Sequence, residues 1–160
     1  MCLAGGADQE ERGSMADEDI HRMIDSPAAR QAALYERTDG REGNTMKGLP
    51  IVVVTNTGAR TGAVHKTPVM KVEHNGRYAV VASMGGAPQH PRWYHNLVKH
   101  PEVQLQDGPH RRTYLAHETS GAEREEWWAR AVQAFPDYAT YQKRTERQIP
   151  VFVLVPTSDD

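Results

Sequence analysis

The sequence has 160 residues, of which 25% are charged, and its formal net charge is -2. This length suits one domain with a sizeable core, and the balanced charge excludes binding of nucleic acid or of an anionic membrane through a global positive field. The single cysteine, Cys2, excludes an internal disulfide framework, and no apolar run reaches the roughly 20 residues that span a bilayer. We therefore expect one cytoplasmic domain over residues 16–160, with a peripheral position at the inner membrane face left open.

Residues 1–15 combine glycine, alanine and charge without periodicity, which predicts a disordered extension. Over residues 16–37, apolar side chains recur at loosely helical spacing that is interrupted at Ser26-Pro27. This pattern predicts two short helices, or one kinked helix, on the outside of the domain. A polar connector that contains glycines then leads to Pro50.

After Pro50 the pattern changes to short strands. Ile51–Thr55 is β-branched throughout, which is typical of a central strand covered on both faces. Thr67–His74 predicts a second strand. Because Asn75-Gly76 is a strong hairpin signal, we expect this strand to pair antiparallel with Arg77–Ala82.

A second hairpin and a closing strand are predicted further along the chain. Val103–Gln106 and His110–His117 flank the turn Asp107-Gly108-Pro109, and Ile149–Val155 indicates a buried strand. About six strands with helices at the connections predict a mainly β, α+β fold, in which an antiparallel sheet curls into a small barrel. A parallel doubly wound sheet would need a helix after nearly every strand, and the two hairpins argue against it.

Two helices are expected before the closing strand. Ser120 and Glu123 have the spacing of a capping box, and the helix that they begin should stop at Pro136. Tyr138 and Tyr141, three residues apart on the next short helix, share one face. They indicate either an aromatic wall over a flat ligand or ordinary packing at the barrel mouth.

The stretch from Val80 to Leu97 has the features of a ligand site. Gly85-Gly86 would let the backbone approach another molecule closely, and the start of the following helix offers unpaired N–H groups to an anion. The alternative is a sharp turn with aromatic residues in the core.

The turn Thr57–Gly62 resembles a phosphate loop but lacks its G-x-x-x-x-G-K-[ST] order. Arg60, Thr61, His65 and Lys66 could together grip an anion, or they could line a solvated hairpin tip.

No metal site is expected, because His90, His95 and His100 are five residues apart and do not share a helical face. No G-x-S-x-G elbow is present, so we expect any chemistry to depend on a bound cofactor.

Three segments, GARTGAVHKTPV, VVASMGGAPQHPRWYHNLVKHPEVQLQ and FPDYATYQKRTERQIPVFVLVP, resemble the deazaflavin-dependent nitroreductase family of actinobacteria. The resemblance covers roughly Pro50 to Pro156. It implies a split β-barrel related to the flavin-binding oxidoreductase barrels. It also implies coenzyme F420, an 8-hydroxy-5-deazaflavin, as cofactor, and redox activity toward quinones or nitroaromatic compounds.

The resemblance also implies the site residues. Carried over residue by residue, it puts cofactor binding on Arg60, Thr61, His65, Pro68, Ala82, Ser83, Met84, Gly85, Gly86, Trp93 and Asn96. Lys66, Arg92 and Lys99 are further candidates, because the anionic tail of this cofactor needs a local basic groove. The resemblance puts Tyr138 and Tyr141 where the family lines its substrate space. We predict catalytic roles for Tyr138, Tyr141 and Ser83, as hydrogen-bond donors to the oxyanion that develops on the acceptor. The chain departs from the nitroreductase pattern at Ala59, Met70, Met84 and Phe135.

We therefore predict an oxidoreductase that passes a hydride from reduced F420 to a quinone or nitroaromatic acceptor, as a monomer or homodimer. Two alternatives remain at this point. One is a carrier that binds the deazaflavin without turnover, and the other is a barrel that binds FMN or haem.

Overall fold

The computed structural model describes residues 26–157, so the predictions for residues 1–25 lie outside the described part. The helices are α1 (Pro27–Arg37), α2 (Arg92–Lys99), α3 (Gly121–Ala134) and α4 (Asp137–Lys143). The strands are β1 (Thr45–Met46), β2 (Leu49–Thr57), β3 (Val64–Met70), β4 (Glu73–His74), β5 (Arg77–Val81), β6 (Glu102–Asp107), β7 (His110–Glu118) and β8 (Val151–Pro156).

All eight strands belong to one antiparallel sheet with the order β1-β2-β6-β7-β8-β5-β4, and β3 pairs with the other edge of β2. The sheet curls until β3 and β5 come into contact. Ile51 to Val54 of β2 are all buried, as expected for a central strand. This curled sheet with helices around it confirms the predicted mainly β barrel.

Side chains alternate along the strands between two apolar cores. The inner core lies inside the barrel, draws side chains from β2, β5, β6, β7 and β8, and is closed at one end by Leu97 of α2. The outer core lies between the sheet and the helices α1, α3 and α4, and includes Tyr35, Trp127 and Tyr138. Since each helix buries apolar side chains against the sheet, the barrel is fixed from both sides.

The contact between β3 and β5, called here the seam, decides which loops are neighbours. Five successive antiparallel pairings connect β3 to β5 through β2, β6, β7 and β8, so the two strands run in opposite directions across the seam. Residues 58–63, which lead into β3, therefore lie at the same end of the barrel as the loop that follows β5. Helix α2 covers this end.

The prediction of one strand over Thr67–His74 is wrong. Strand β3 ends at Met70 and pairs with β2, because the tight turn at residues 58–63 folds β3 back onto its long predecessor. Asn75-Gly76 forms the predicted turn, with φ values of +55° and +79°, but it joins β5 only to the two-residue strand β4.

The helix starts agree with the sequence except in one detail. Ser26 caps α1 through its hydroxyl, which accepts from the Ala29 amide at 3.0 Å. Helix α3 begins after Ser120 as predicted, but the capping box is wrong, since Ser120 makes no side-chain cap bond. Glu123 instead contacts His117 on β7, with 2.9 Å between Oε2 and Nε2.

Candidate functional site

The turn of residues 58–63 is held in shape by its own hydrogen bonds. The Gly58 amide donates to the Ala63 carbonyl at 2.7 Å, and the Gly62 amide donates to the Gly58 carbonyl at 3.0 Å. The Ala63 amide donates to the Thr61 hydroxyl at 3.1 Å. Thr61 thus supports the turn, and Arg60 remains exposed at its tip.

Asn96 of α2 fastens this turn to the helix. Its side chain is 7% exposed; Oδ1 accepts from the Ala59 amide at 2.8 Å, and Nδ2 donates to Oδ1 of Asn56 at 2.8 Å. Lys99, one helical turn later, donates to the Ala59 carbonyl at 3.1 Å. Because both polar atoms of the Asn96 side chain bind the protein itself, its effect here is to position the turn.

His65 and Arg92 lie beside the turn. A methyl group on Gly58 would lie 3.1 Å from Nε2 of His65 and 3.2 Å from the Thr61 hydroxyl, so these two side chains converge on Gly58. Burial and the charge of Arg92 lower the pKa of His65, which favours the neutral imidazole. The structure thus gathers Thr61, His65 and Arg92 next to the exposed Arg60, as binding of an anion requires.

Lys66 and Pro68 lie on the other face of β3. Lys66 Nζ is 2.7 Å from the carboxylate of Glu36 on α1, and Pro68 is buried opposite Val53. Lys66 borders an open groove of about 500 Å³ between α1 and the sheet. The structure therefore separates these two residues from the cluster at the turn.

The segment of residues 82–87, called here the glycine loop, follows β5 at the same end of the barrel. Met84, Gly85 and Gly86 all have left-handed φ values of +49°, +65° and +85°. Ala82 and Ser83 are buried, whereas Met84 is 55% exposed. A left-handed methionine is strained, so the surrounding structure must hold the loop in this form.

The two glycines have different roles. A methyl group on Gly86 would lie 2.6 Å from the Tyr141 carbonyl oxygen, so Gly86 allows the loop to pack against the end of α4. A methyl group on Gly85 would meet nothing within 4 Å. Of the pair predicted to admit a ligand, only Gly85 therefore faces open space.

Trp93 of α2 lies at the seam between β3 and β5. It lines a slot together with Thr67 of β3 and Val80 of β5. The slot has a volume of about 10 Å³, which leaves room for a single water molecule. A slot of this size does not admit a flat ring system.

Helix α4 brings the two predicted tyrosines together, with their ring centroids 6.3 Å apart. Tyr138 is 5% exposed and packs edge-on against Phe135 at 4.9 Å, and its burial raises the pKa of its hydroxyl. Tyr141 is only partly buried, and its hydroxyl accepts from Lys47 Nζ at 3.2 Å. Lys47 is a site neighbour that sequence reasoning missed, because it comes from the distant turn between β1 and β2.

Arg147 was also missed. It precedes β8 in an irregular segment, and its guanidinium donates to the carbonyl oxygens of Ser83 at 2.8 Å, Ala87 at 2.9 Å and Ala82 at 3.1 Å. A fourth bond reaches Nδ1 of His90 at 3.0 Å. No sequence pattern identifies an arginine that binds only main-chain carbonyls and one imidazole.

Within residues 26–157, no group of three His, Cys, Asp or Glu side chains is arranged to hold a metal ion. None of the helices in this part of the chain is both long and apolar enough to cross a membrane.

Comparison with known proteins identifies the family. The family model for the F420H(2)-dependent quinone reductases matches residues 28–156. The F420H(2)-dependent quinone reductase Rv1261c of Mycobacterium tuberculosis (strain ATCC 25618 / H37Rv) is 36% identical over 128 residues, which cover 76% of this chain and 85% of that protein.

Solved structures agree. The F420-H2-dependent reductase FDR-A is 51% identical with a TM-score of 0.63, over 66% of this chain and 93% of that one. A structure described as a domain-swapped dimer is 42% identical with a TM-score of 0.65, over 87% of this chain and 99% of that one. The haem storage protein HutZ from Vibrio cholerae, 14% identical with a TM-score of 0.52, shares the fold alone over 68% of this chain and 82% of its own.

These matches confirm the resemblance to a deazaflavin-dependent, split-barrel family that the three sequence segments indicated. The chain therefore belongs to the F420H(2)-dependent quinone reductase family and is an oxidoreductase whose cofactor is coenzyme F420.

Proposed function

We propose that this protein transfers a hydride from reduced F420 to a quinone bound over the seam. The names of its relatives support a quinone as acceptor. The observation that carries the proposal is the common position of the cationic turn at residues 58–63 and the glycine loop, which flank the seam at one end of the barrel.

The side chains present fit the cofactor. Its tail carries a phosphodiester and several glutamates, and a protein with a net charge of -2 needs local cations to hold it. Arg60 and Arg92 can donate charge-assisted bonds to phosphate oxygens, and a neutral His65 retains one N–H donor. At the other end, the open space at Gly85 permits close approach of a ring to the backbone.

When bound, the reduced deazaflavin supplies the hydride. In this proposal Arg60 and Arg92 hold the anionic tail, the glycine loop orients the ring system, and Trp93 keeps water away from its inner face. Holding donor and acceptor in one orientation is the main contribution of the protein to the rate.

The acceptor oxygen gains negative charge as the hydride arrives, and Tyr141 is suited to stabilise it. Because its hydroxyl oxygen accepts from Lys47, its hydrogen is directed elsewhere and can bond to the acceptor. Burial raises the pKa of Tyr138 still further above neutral pH, so its hydroxyl stays protonated and can donate. In this proposal Ser83 is a second possible donor, and the proton that completes the quinol comes from water.

A nitroaromatic compound is a second acceptor that we propose for the same site. It is flat and electron-poor, like a quinone, and its nitro oxygens would accept from Tyr141 in the same way. The aromatic wall of Tyr138 and Tyr141 supports this wider range.

The first test follows the absorbance of reduced F420 with the purified protein and either menadione or a nitroimidazole. Oxidation of the cofactor that depends on menadione supports the reductase. Binding without turnover of either acceptor would instead indicate a carrier, and FMN binding as tight as that of F420 would overturn the choice of cofactor.

The second test replaces Tyr138 and Tyr141 together by Phe. We expect kcat to fall about tenfold or more, because a hydrogen bond to the developing oxyanion is lost. The Kd of F420 should change by less than about twofold, since the cofactor is held from the turn. Tyr94→Phe, whose hydroxyl donates to Glu118 at 3.1 Å, is the matched control. Weaker cofactor binding with unchanged kcat would contradict these roles.

A further inference from the structure

The glycine loop is held by a side chain outside it. The Arg147 guanidinium binds Ala82 and Ser83 on one side of the left-handed residues 84–86 and Ala87 on the other. Its planar fork thereby ties the beginning of the loop to its end. Within the loop itself, the Gly86 amide donates to the Ser83 carbonyl at 2.9 Å and the Ala87 amide donates to the Met84 carbonyl at 3.1 Å.

Arg147 carries its charge without a carboxylate partner in the described part of the chain. Among residues 26–157, its recorded contacts are three carbonyl oxygens and the His90 ring. Burial lowers the pKa of the guanidinium. Arg124, by contrast, stacks on an aromatic face, that of Trp128, with 4.9 Å to the ring centroid.

The conformation that Arg147 maintains is costly by itself. Met84 is left-handed at φ +49°, and its side chain is 55% exposed. Burial of this side chain therefore offsets little of the backbone strain. The same loop contains Ser83 and Gly85, and it packs on the α4 residue Tyr141 through Gly86. A loosened loop would therefore change both the backbone beneath the proposed ring position and the neighbouring tyrosine.

We propose that Arg147 is a positioning residue, which holds the glycine loop in the shape that accepts the ring system of F420. This role rests on the proposed function, because it assumes that the ring lies against the loop. Arg147 acts through the backbone of residues 82–87 and does not touch the cofactor.

The experiment compares wild type with Arg147→Ala, Arg147→Lys and the control Arg124→Met. Arg124 also donates to a main-chain carbonyl, that of Ile149 at 2.7 Å, and it is more deeply buried than Arg147, but it lies away from the loop. The first readout is amide hydrogen exchange of residues 83–87 without cofactor, and the second is the Kd of oxidised F420 by fluorescence quenching.

For Arg147→Ala we expect faster amide exchange in residues 83–87. We also expect the Kd of F420 to rise about 10- to 100-fold, as it does when residues that hold the direct ligands of a site in orientation are removed. Added guanidinium ion should restore much of the affinity, because it can occupy the vacated fork position. For Arg147→Lys we expect exchange rates and a Kd between those of wild type and Arg147→Ala, since an ammonium cannot bind three carbonyls in one plane. Arg124→Met should lose stability but keep the Kd within about twofold.

Unchanged exchange in the loop together with an unchanged Kd would overturn this role for Arg147. An equal loss of affinity in Arg124→Met, without rescue by guanidinium, would overturn it too, because general destabilisation would then explain the result. If wild type itself does not bind F420, the proposed function fails, whereas the exchange data still test whether Arg147 holds the loop.

Discussion

The two sides of the seam offer a ligand different chemistry. At the turn of residues 58–63, charged and polar side chains face outward, and Asn96 fixes the backbone behind them. At the glycine loop, the exposed residues are Met84 and Gly85, which carry no charge, and Arg147 donates to the carbonyl oxygens of the loop. The turn is thus suited to recognise charge, and the loop is suited to recognise shape.

This difference determines how each side responds to mutation. Substitutions at the turn should change affinity through electrostatics, and salt should modulate their effect. Substitutions at the loop should act through backbone geometry and be insensitive to salt. A turn variant whose effect does not depend on salt, or a loop variant whose effect does, would show that the two sides do not act separately.

The largest effect is expected for Gly86→Ala. The added methyl would lie 2.6 Å from the Tyr141 carbonyl oxygen at a residue with φ +85°, so the loop and α4 must separate. We expect the free energy of unfolding to fall by about 2–4 kcal/mol, measured by urea denaturation.

Gly85→Ala is its matched control. Its methyl meets nothing within 4 Å, so only the left-handed φ is penalised, by about 1 kcal/mol. Equal losses for the two variants would contradict the different roles assigned to these glycines.

Asn96→Ala should have the next largest effect. It leaves the Ala59 amide and the side-chain oxygen Oδ1 of Asn56 without their partner, which should lower the free energy of unfolding by about 2–3 kcal/mol. Lys99→Met removes a more exposed bond to the same turn and should cost less than about 0.5 kcal/mol. A loss for Lys99→Met as large as that for Asn96→Ala would show that Asn96 is not the main fastening of the turn.

Charge removal at the turn should produce a smaller change, in affinity rather than stability. Arg60→Gln and Arg92→Gln should each raise the Kd of F420 about three- to tenfold at low salt, and the difference should shrink as salt is added. Lys66→Gln should change the Kd less than about twofold, because Lys66 pairs with Glu36 on the other face of β3. Calorimetric titrations at two salt concentrations measure the Kd of F420 for all three variants. A larger increase in Kd for Lys66→Gln than for the two arginine variants would show that Lys66, and not the arginines, holds the cofactor.

Much of the fold could be predicted because local patterns determine it. The β-branched run at Ile51–Thr55, the Asp107-Gly108-Pro109 turn and the stop at Pro136 each have a local physical cause, and each is found. The wrong strand over Thr67–His74 shows the limit. Thr67–Met70 does lie in a strand, but the choice of partner depended on the nearby turn at residues 58–63, which brings β2 next to β3 first.

The candidate site was only partly predictable for a similar reason. Residues that are adjacent in sequence, such as His65 and Lys66, were assigned to one cluster, but strand alternation places them on opposite faces. Lys47 and Arg147 reach the site from distant segments, by contacts that no spacing rule reveals. The function of Gly86 in packing against α4 likewise requires the tertiary structure.

The smallest expected effect concerns His90, whose Nδ1 must accept from Arg147 because a guanidinium can only donate. Burial, then Arg147 and His95, lower the pKa of His90, and Glu118 opposes them. A histidine whose folded pKa lies below its ordinary value of about 6.5 binds fewer protons in the folded state than in the unfolded state. The free energy of unfolding therefore falls as the pH falls through that value.

The test is urea unfolding at about pH 5.5 and pH 7.5, on either side of that value. We expect the free energy of unfolding to differ less between these two pH values in His90→Asn than in wild type, because the asparagine side-chain oxygen still accepts a hydrogen bond but does not titrate. Because the ring is partly exposed and solvent screens its charge, we expect the two proteins to differ by only a few tenths of a kcal/mol. A larger pH dependence in His90→Asn than in wild type would mean that protonated His90 stabilises the fold, and Arg147 would then not depend on its neutral ring.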